Sequence, residues 1–319
     1  MRKTFTLTAT ALVLLAVLSG CPNTGNNNGE PAATFTVTFD TGGGSTVAAV
    51  PVEAGTKVAR PANPTRTGLD FKGWFLPANP HEPFGFDTPI SGDTTIVADW
   101  GTAGLEYGLN DDGDGHVVTG PWDLDVETLV VPNFHDGLPV TAVGKWAFNL
   151  GDDPDYKGNQ HIRHVIIGAN VVVIEEAAFA RTVTESVTFP VGSRLKTIGW
   201  VAFWDTNLTS ITIPASVISI GDAAFYDSGI TNITFVAGSR LEIIGVEAFA
   251  FINLASITMP TSVASVGSRV FRGWTAEQTI YIPHDTLTPE GWNSEWRYDC
   301  DAKVYNNLTN PPTQLFPVP

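Results

Sequence analysis

The sequence predicts a mainly β protein, with short helical or irregular turns, in which a small β domain precedes a solenoid of stacked repeats. One six-residue phrase occurs six times, and after the first copy its closing phenylalanine recurs every 22 or 24 residues. A strand-like phrase such as Ser210-Ile-Thr-Ile213 precedes each of the last four copies. A fixed period of this length is typical of solenoids. The six copies are Val143–Phe148, Ile174–Phe179, Ile198–Phe203, Ile220–Phe225, Ile244–Phe249 and Val266–Phe271.

The start of the chain predicts export and a lipid anchor. Met1-Arg2-Lys3 is basic, and Phe5–Leu18 is an apolar run, too short for a bilayer core of about 30 Å and typical of a signal peptide. The run ends in Leu18-Ser-Gly-Cys21, which resembles a bacterial lipobox. The resemblance implies that Cys21 is diacylated and becomes the mature N-terminus. An ordinary secretory signal beside a cysteine is the alternative.

These features predict a signal peptide over residues 1–20 and a flexible tether over 21–33, where no apolar periodicity is present. We expect the protein in the bacterial cell envelope, lipid-anchored, at the outer membrane or the cell surface. No Asp follows Cys21, which favours the outer location. The membrane contact is then made through the lipidated Cys21.

The charge balance and the cysteine count limit which partners and cross-links can be expected. The chain has 17 basic and 33 acidic residues, a net charge of −16, which argues against a nucleic-acid partner. Of the two cysteines one is the lipid site, so Cys300 has no intramolecular partner and no disulfide framework is expected. We expect a monomer without a cofactor.

Residues 34–100 predict a separate small module. Phe35-Thr-Val-Thr-Phe39 alternates with period two and is followed by a glycine-rich turn. Together with Gly68–Phe75 and Ile96–Trp100 these phrases resemble the internalin B-repeat, also called the Listeria–Bacteroides repeat. The resemblance implies a β-grasp-like fold that acts as a spacer or interaction module on bacterial surface proteins. Trp74 and Trp100 lie within alternating strand patterns, which predicts that they are core residues rather than a ligand platform.

Residues 101–305 are assigned to the solenoid. An acidic segment, Asn110–Gly115, joins two predicted strands. Asp at alternating positions with Gly resembles the start of a calcium loop, but the Glu expected at its twelfth position is missing and no flanking helices are predicted. A hairpin turn is therefore favoured over a calcium site at Asp111–Asp114.

The repeats resemble the BspA-like leucine-rich repeat family of about 23 residues per unit. Phrase, spacing and a proline after each strand recur together from about residue 105 to 305. The family often has a cysteine three residues after the phenylalanine, where this chain has Thr182, Thr206, Ser228 and Ile252. We expect the small or apolar residues of this chain to be buried there and to fill the same space as the cysteine. Residues 289–305 are expected to cap the stack, and the Pro-rich residues 306–319 are expected to be disordered.

Within one unit, Ile211 and Ile213 point inward and the threonine between them points outward, because side chains alternate along a strand. Stacking then predicts an outward column of threonines. Three interpretations remain for it: an ordinary solvated β surface, a hydroxyl-lined surface for a protein or glycan, and a regular array that binds ice. The column consists of Thr188, Thr212, Thr234 and Thr258.

Aromatic residues supply a second candidate ligand surface, because they occupy variable positions around the repeated Ala-Phe pair. Exposed aromatics often anchor partners, and packing between units is the alternative. The candidates are Trp200, Trp204, Tyr226, Phe251 and Trp274.

Catalytic or metal-binding patterns are weak. His161-Ile-Arg-His164, near Asp152, Asp153 and Asp155, is the one cluster that resembles a metal site. No nucleophile elbow, HExxH motif or phosphate loop occurs. The sequence therefore predicts no enzyme, no metal and no catalytic residues.

The resemblance to BspA-like proteins implies adhesion to host or matrix proteins or to other cells, through an extracellular protein or glycan ligand. A structural envelope spacer without a specific ligand is the main alternative. An envelope hydrolase is a third, and it lacks a nucleophile motif.

Overall fold

The computed structural model describes residues 32–121, 124–149, 161–285 and 289–306. The signal peptide, Cys21, nearly all of the tether, the acidic residues at 152–155 and residues 307–319 lie outside this part. The described residues form 22 strands and no α-helix, so the mainly β class is confirmed, and the connections are turns and bends. Within the described ranges we find no helix with the length and apolarity needed to span a bilayer.

The N-terminal module is a five-stranded sheet in the order β2-β1-β5-β3-β4. β1 and β5 pair in parallel and the other neighbours are antiparallel. The strands are β1 (Thr34–Asp40), β2 (Val50–Glu53), β3 (Leu69–Leu76), β4 (Asn79–Pro83) and β5 (Thr94–Thr102).

Two tryptophans fill the core of the module, as the alternating pattern predicted. Trp74 is 2% exposed and Trp100 is 6% exposed. Phe71 lies edge-on between them, with ring centroids 5.3 Å from Trp74 and 5.6 Å from Trp100. The Trp100 indole N–H donates to the carbonyl of Thr41 at 2.9 Å, which holds the first turn of the module against its core.

The solenoid has two faces of short parallel strands. One face is a sheet in the order β20-β18-β16-β14-β12-β10-β7-β6, with β9 paired to β10. Its strands are β6 (Glu106–Leu109), β7 (His116–Gly120), β9 (Phe134–His135), β10 (Leu138–Val143), β12 (Val173–Ile174), β14 (Thr197–Ile198), β16 (Ser219–Ile220), β18 (Ile243–Ile244) and β20 (Ser265–Val266).

The other face is divided into two sheets, β17-β15-β13-β11-β8 and β19-β21-β22. These are the strands in which the Ser-Ile-Thr phrases lie. Their bounds are β8 (Thr128–Val130), β11 (His164–Ile166), β13 (Ser186–Thr188), β15 (Ser210–Ile213), β17 (Asn232–Phe235), β19 (Ser256–Thr258), β21 (Thr279–Tyr281) and β22 (Lys303–Tyr305).

The acidic segment before the repeats is a hairpin turn between the antiparallel strands β6 and β7, as predicted. Asn110 organises it, because its side-chain oxygen accepts the N–H groups of Asp114 and Gly115. Its amide nitrogen donates to the Asp114 carboxylate at 2.9 Å. The turn is therefore closed by its own side chains.

A ladder of phenylalanines forms the centre of the solenoid. The six repeat phenylalanines are fully buried, and their rings stack at centroid distances of 5.3 to 6.0 Å with interplanar angles of 3 to 20°. The prediction of equivalent buried positions is confirmed. The ladder consists of Phe148, Phe179, Phe203, Phe225, Phe249 and Phe271.

The glycine of the repeat phrase is explained by close approach of two backbones. A Cβ on Gly221 would lie 2.7 Å from the carbonyl carbon of Gly199 in the preceding unit. We expected Gly221 to permit a tight turn. The left-handed backbone lies instead two residues further on, at Ala223 with φ of 48°, and recurs there in every unit.

Three residues after the repeat phenylalanine, where related proteins often have a cysteine, three units of this chain have a buried threonine or serine. A small buried residue was expected at this position. Thr206 is 3% exposed, and its Oγ1 donates to the carbonyl of Phe203 at 3.0 Å. Thr182 and Ser228 make the same bond to the phenylalanine of their own units, and Ile252 fills the position in the next.

The C-terminal segment caps the stack, as predicted. Trp296 is fully buried with its ring 5.9 Å from Phe271, and Trp292 packs edge-on against it. Backbone bonds continue the repeat pattern into the cap, since Val270 N–H donates to the carbonyl of Trp296. The apolar end of the ladder is thereby covered.

Candidate functional site

Four of the five predicted aromatic residues lie at the surface of three consecutive units. Trp200 is 53% exposed and Phe251 is 39% exposed, while Trp204 and Tyr226 are half-buried. Trp204 and Tyr226 occupy the same position in neighbouring units, because Arg181 N–H bonds Trp204 and Asp205 N–H bonds Tyr226 in the same way. We call these four residues, Trp200, Trp204, Tyr226 and Phe251, the aromatic row.

Arginines that the sequence reasoning missed lie over the aromatic row. The guanidinium of Arg181 is 4.6 Å from the centre of the Trp204 ring, and that of Arg272 is 5.3 Å from Phe251. Tyr226 meets Phe251 edge-on at 5.2 Å. The sequence repeats could have revealed these arginines. Arg181 and Phe251 both lie two residues after the phenylalanine of their repeat copy, and Arg272 and Trp204 both lie one residue after it. Stacking of this kind holds the exposed rings in place.

At the C-terminal end of the aromatic row, two carboxylates bind the arginine that stacks on Phe251. Arg272 is bound by Asp299 at 3.3 Å and by Glu247 at 3.2 Å. These hydrogen bonds, the one to Asp299 first, raise the pKa of the Arg272 guanidinium above its ordinary value. The row therefore presents flat apolar rings beside polar groups of both signs, a composition found in surfaces that anchor proteins.

Trp274 does not belong to the candidate surface, so this part of the prediction is wrong. It is 2% exposed, packs on Phe271 at 4.8 Å, and donates its indole N–H to the carbonyl of Phe249. The physical reason is its place in the repeat. It occupies the position of Thr206 and Ile252, which faces the core, and in the last unit a large side chain is needed to close the end.

The threonine column is outward and exposed at all four positions, but it is not one continuous ladder. Thr212 and Thr234 are in register. β13 and β15 share a single pair, Ser186 with Ser210, and β17 and β19 belong to different sheets. Both interruptions fall where the spacing between strands is 24 residues rather than 22, because two extra residues after the strand displace the next unit.

The histidines of the weak metal motif point to different partners. His161 pairs with Asp125, and the Nδ1 of His164 lies 2.9 Å from the Ser186 hydroxyl. Within the described ranges, no three His, Cys, Asp or Glu side chains are arranged to hold a metal ion. Cys300 has no disulfide partner, and partial burial raises the pKa of its thiol.

A buried carboxylate joins the module to the solenoid, and no sequence motif predicted it. Asp99 on β5 is 5% exposed and accepts the backbone N–H groups of Asn133 and Phe134 and the side-chain amide of Asn133, at 3.0 to 3.2 Å. Thr102 adds a bond to Val130 N–H at 2.7 Å. We call Asp99, Thr102 and Asn133 the clasp.

A second contact joins the edge of the module to the solenoid. His81 on β4 donates from Nδ1 to the side-chain oxygen of Asn170 at 2.9 Å, and Asn170 is itself buried and donates to the carbonyl of Asn133. The module and the first solenoid units are thus held at two points by hydrogen bonds.

Stacked parallel strands and a phenylalanine ladder at a fixed period define a repeat solenoid. Comparison with protein families agrees. Residues 155–286 are a BspA type leucine rich repeat region in six copies, and residues 35–99 are a Listeria-Bacteroides repeat domain. The family resemblances drawn from the repeat phrases are confirmed.

Known relatives match only in part. A protein of Evansella cellulosilytica that carries the name of a Gly-rich membrane protein is 39% identical over 67 residues, which is 21% of this chain and 8% of that protein. A second one, named as a membrane protein, is 34% identical over 83 residues, 26% of this chain and 12% of that protein. The chain therefore spans a small fraction of the length of these relatives.

Among solved structures, the pneumococcal vaccine antigen PcpA is 26% identical over 62% of this chain and 51% of that chain, with a TM-score of 0.49. A leucine rich cell surface protein from Faecalibacterium prausnitzii is 21% identical over 62% of this chain and 56% of that chain, with a TM-score of 0.39.

Proposed function

We propose that this protein is a lipid-anchored protein of the bacterial cell surface that binds a partner protein or glycan through its solenoid, in an adhesive role. The observation that carries the proposal is the aromatic row. Trp200 and Phe251 are exposed, and arginines stack on Trp204 and Phe251. Neighbouring exposed aromatic residues of this kind are typical of interaction sites.

Physical arguments favour the aromatic row over the acidic end of the solenoid, the stretch from Glu106 to Asp155 in which eleven acidic residues accompany one basic residue, as the place of binding. Buried aromatic anchors and arginines carry most of the affinity in protein interfaces, whereas rim charges contribute mainly to association rate. Trp200 has the largest exposed ring area of the row, and a partner that covers it removes apolar surface from water.

The first prediction tests the row. Replacing Trp200 and Trp204 together by alanine is expected to weaken binding to the cognate matrix protein, glycan or cell at least tenfold, since two anchors are lost. Labelled protein is measured on a panel of matrix proteins, glycans and bacterial cells. The matched control is Trp146→Ala, which removes a tryptophan that is 45% exposed and lies two units away.

The salt dependence of binding distinguishes the aromatic row from the acidic end as the binding site. A partner held by aromatic rings should bind almost equally at 50 mM and 500 mM salt, because apolar burial is weakly screened. A steep loss with salt, together with full binding by the double variant, would place the site at the acidic end. No binding to any panel member by the intact protein would favour the spacer role instead.

The second prediction concerns the anchor. Cys21→Ala is expected to release the protein from the membrane fraction or to leave its precursor uncleaved, because the acylated sulfur would be missing. Fractionation and the mass of the N-terminal peptide measure this. Cys300→Ala is the control and should remain anchored. A Cys21→Ala protein that is cleaved normally and stays in the membrane would disprove lipidation at this residue.

A further inference from the structure

Two units of the solenoid carry the same insertion. In these units the inner strand begins nine residues after the outward threonine, at Thr197 after Thr188 and at Ile243 after Thr234. In the units between and after them it begins seven residues after the threonine, at Ser219 after Thr212 and at Ser265 after Thr258. The insertions share the phrase Gly-Ser-Arg-Leu, at 192–195 and 238–241. They fold alike: the two glycines have φ of 80° and 75°, and each serine hydroxyl accepts the N–H of the leucine at 3.3 Å.

Each insertion protrudes as a ridge fixed from below. Leu195 and Leu241 are fully buried, and the N–H groups of Arg194 and Arg240 bond the preceding unit at 3.0 and 3.1 Å. The ridges lie two units apart, which is about 10 Å at a strand spacing of about 4.8 Å. We call them the first ridge (residues 190–195) and the second ridge (residues 236–241).

The short unit between the ridges leaves a groove of about 590 Å³. Its walls include Phe189 and Val191 on one side and Val236 on the other, and Pro214–Ser216 forms its floor. Val191 is fully exposed, the most exposed large hydrophobic residue among those described. Ser193 and Ser216 are the serines among the residues that line it.

The module supports the first ridge. A Cβ on Gly192 would lie 3.8 Å from His81 Nε2 and 3.9 Å from Pro80, so β4 lies against this ridge while His81 is bonded to Asn170. Pro190 also lines a cleft of about 630 Å³ between the module and strands β8 and β11. Pro190 therefore lines both the groove and this cleft, and the first ridge lies beside strand β4 of the module.

The charges in and around the groove indicate what kind of molecule it binds. No residue that lines the groove is charged, although the chain carries a net charge of −16. Arg194 and Arg240 are exposed on the two ridges, and neither forms an ion pair with another described residue, unlike Arg163, Arg269 and Arg272. Aliphatic walls with hydroxyls and without carboxylate or amide side chains suit a peptide better than a glycan.

We propose that this groove binds an extended segment of a partner polypeptide, uncharged where it lies in the groove and followed at one end by acidic residues that meet Arg194 and Arg240, which occupy equivalent positions in the two ridges. A width of about 10 Å accommodates one extended chain. β13 and β15 share one pair, Ser186 with Ser210, where β15 and β17 share four, so pairing between the two strands that lead into the groove ends at their first residues. The inference rests on the proposed partner-binding role and assigns it a second surface.

The test uses the full chain and a bead library of five random uncharged residues followed by two glutamates, compared with the same library followed by two lysines. The glutamate library is expected to be enriched. Members selected from it should bind the Arg194→Ala, Arg240→Ala double variant and the Val191→Asp variant at least tenfold more weakly. Arg297→Ala and Val246→Asp are matched controls, since both residues are exposed elsewhere, and they should bind normally.

Three results would overturn the inference: equal enrichment of the lysine library, no enrichment of either library, or unchanged affinity in the ridge variants. Loss of peptide binding in the Trp200, Trp204 double variant alone would move the peptide to the aromatic row, and this also overturns the groove. Binding to cells or matrix proteins is measured separately with the aromatic variants. Failure of the groove is thereby distinguished from failure of the proposed function.

Discussion

Replacing Phe225 by alanine is expected to lower the free energy of unfolding of the solenoid by about 3–5 kcal/mol. Phe225 is fully buried between Phe203 and Phe249, at 5.5 and 5.8 Å, so removal of its ring leaves a cavity bounded by the two neighbouring rings. At about 2–4 °C per kcal/mol for a domain of this size, the melting temperature should fall by about 6–20 °C.

The equivalence of the repeats provides the controls. Phe203→Ala and Phe249→Ala should cost a similar amount, because both rings are buried in the same ladder. Phe251→Ala, which removes a ring that is 39% exposed, should cost much less. A melting temperature unmoved by Phe225→Ala, or a larger fall with Phe251→Ala, would contradict the ladder as the main source of stability.

The second large effect is expected at the clasp. Asp99→Ala removes the acceptor of three N–H groups in a buried site, and unsatisfied buried donors cost about 1–3 kcal/mol each when water cannot reach them. We expect the variant to lose about 2–4 kcal/mol in stability. Hydrogen exchange should report the loss locally, with faster exchange at the Asn133 and Phe134 amides. Unchanged exchange there would show that the clasp does not hold the two parts together.

The same residue predicts a pH dependence. Burial raises the pKa of Asp99 from 3.8 to about 7, against the lowering effect of the bonds from Asn133 and Phe134. The folded state then retains a proton that the unfolded state releases. The part of the stability that depends on this proton is complete below pH 3.8, declines as the pH rises to about 7, and is absent above it, whereas the hydrogen bonds from Asn133 and Phe134 contribute in addition.

Asp99→Asn isolates this effect, because the amide cannot ionise. The difference in unfolding free energy between the two proteins should change with pH between 3.8 and about 7 and be constant above this range. His135 acts in the opposite direction, since partial burial lowers its pKa from 6.5 and its contribution is lost as the pH falls. His135 is present in both proteins, so the comparison cancels it. A constant difference would contradict the raised pKa.

Much of the fold could be predicted because equivalent residues of successive repeats pack against each other in the structure. A residue such as Phe225 packs against its own copies in the neighbouring units, so a period in the sequence specifies a contact in space. For the same reason the core tryptophans of the module, the hairpin at Asn110 and the C-terminal cap were correctly predicted. The candidate surface was harder, since exposure at a variable position depends on which way each turn points.

The sequence by itself determined the class of fold, the repeat unit and its buried ladder, because alternation and period act between residues that are near in the chain or equivalent in it. Only the tertiary structure decided that Trp274 is a core residue, that the threonine column is interrupted, and that Asp99 fastens the module to the solenoid. Each of these depends on where two distant segments meet. The two extra residues of an insertion illustrate the difference: they are visible as a change of spacing, but the displacement of the next strand and the groove beside Val191 arise only when the units are stacked.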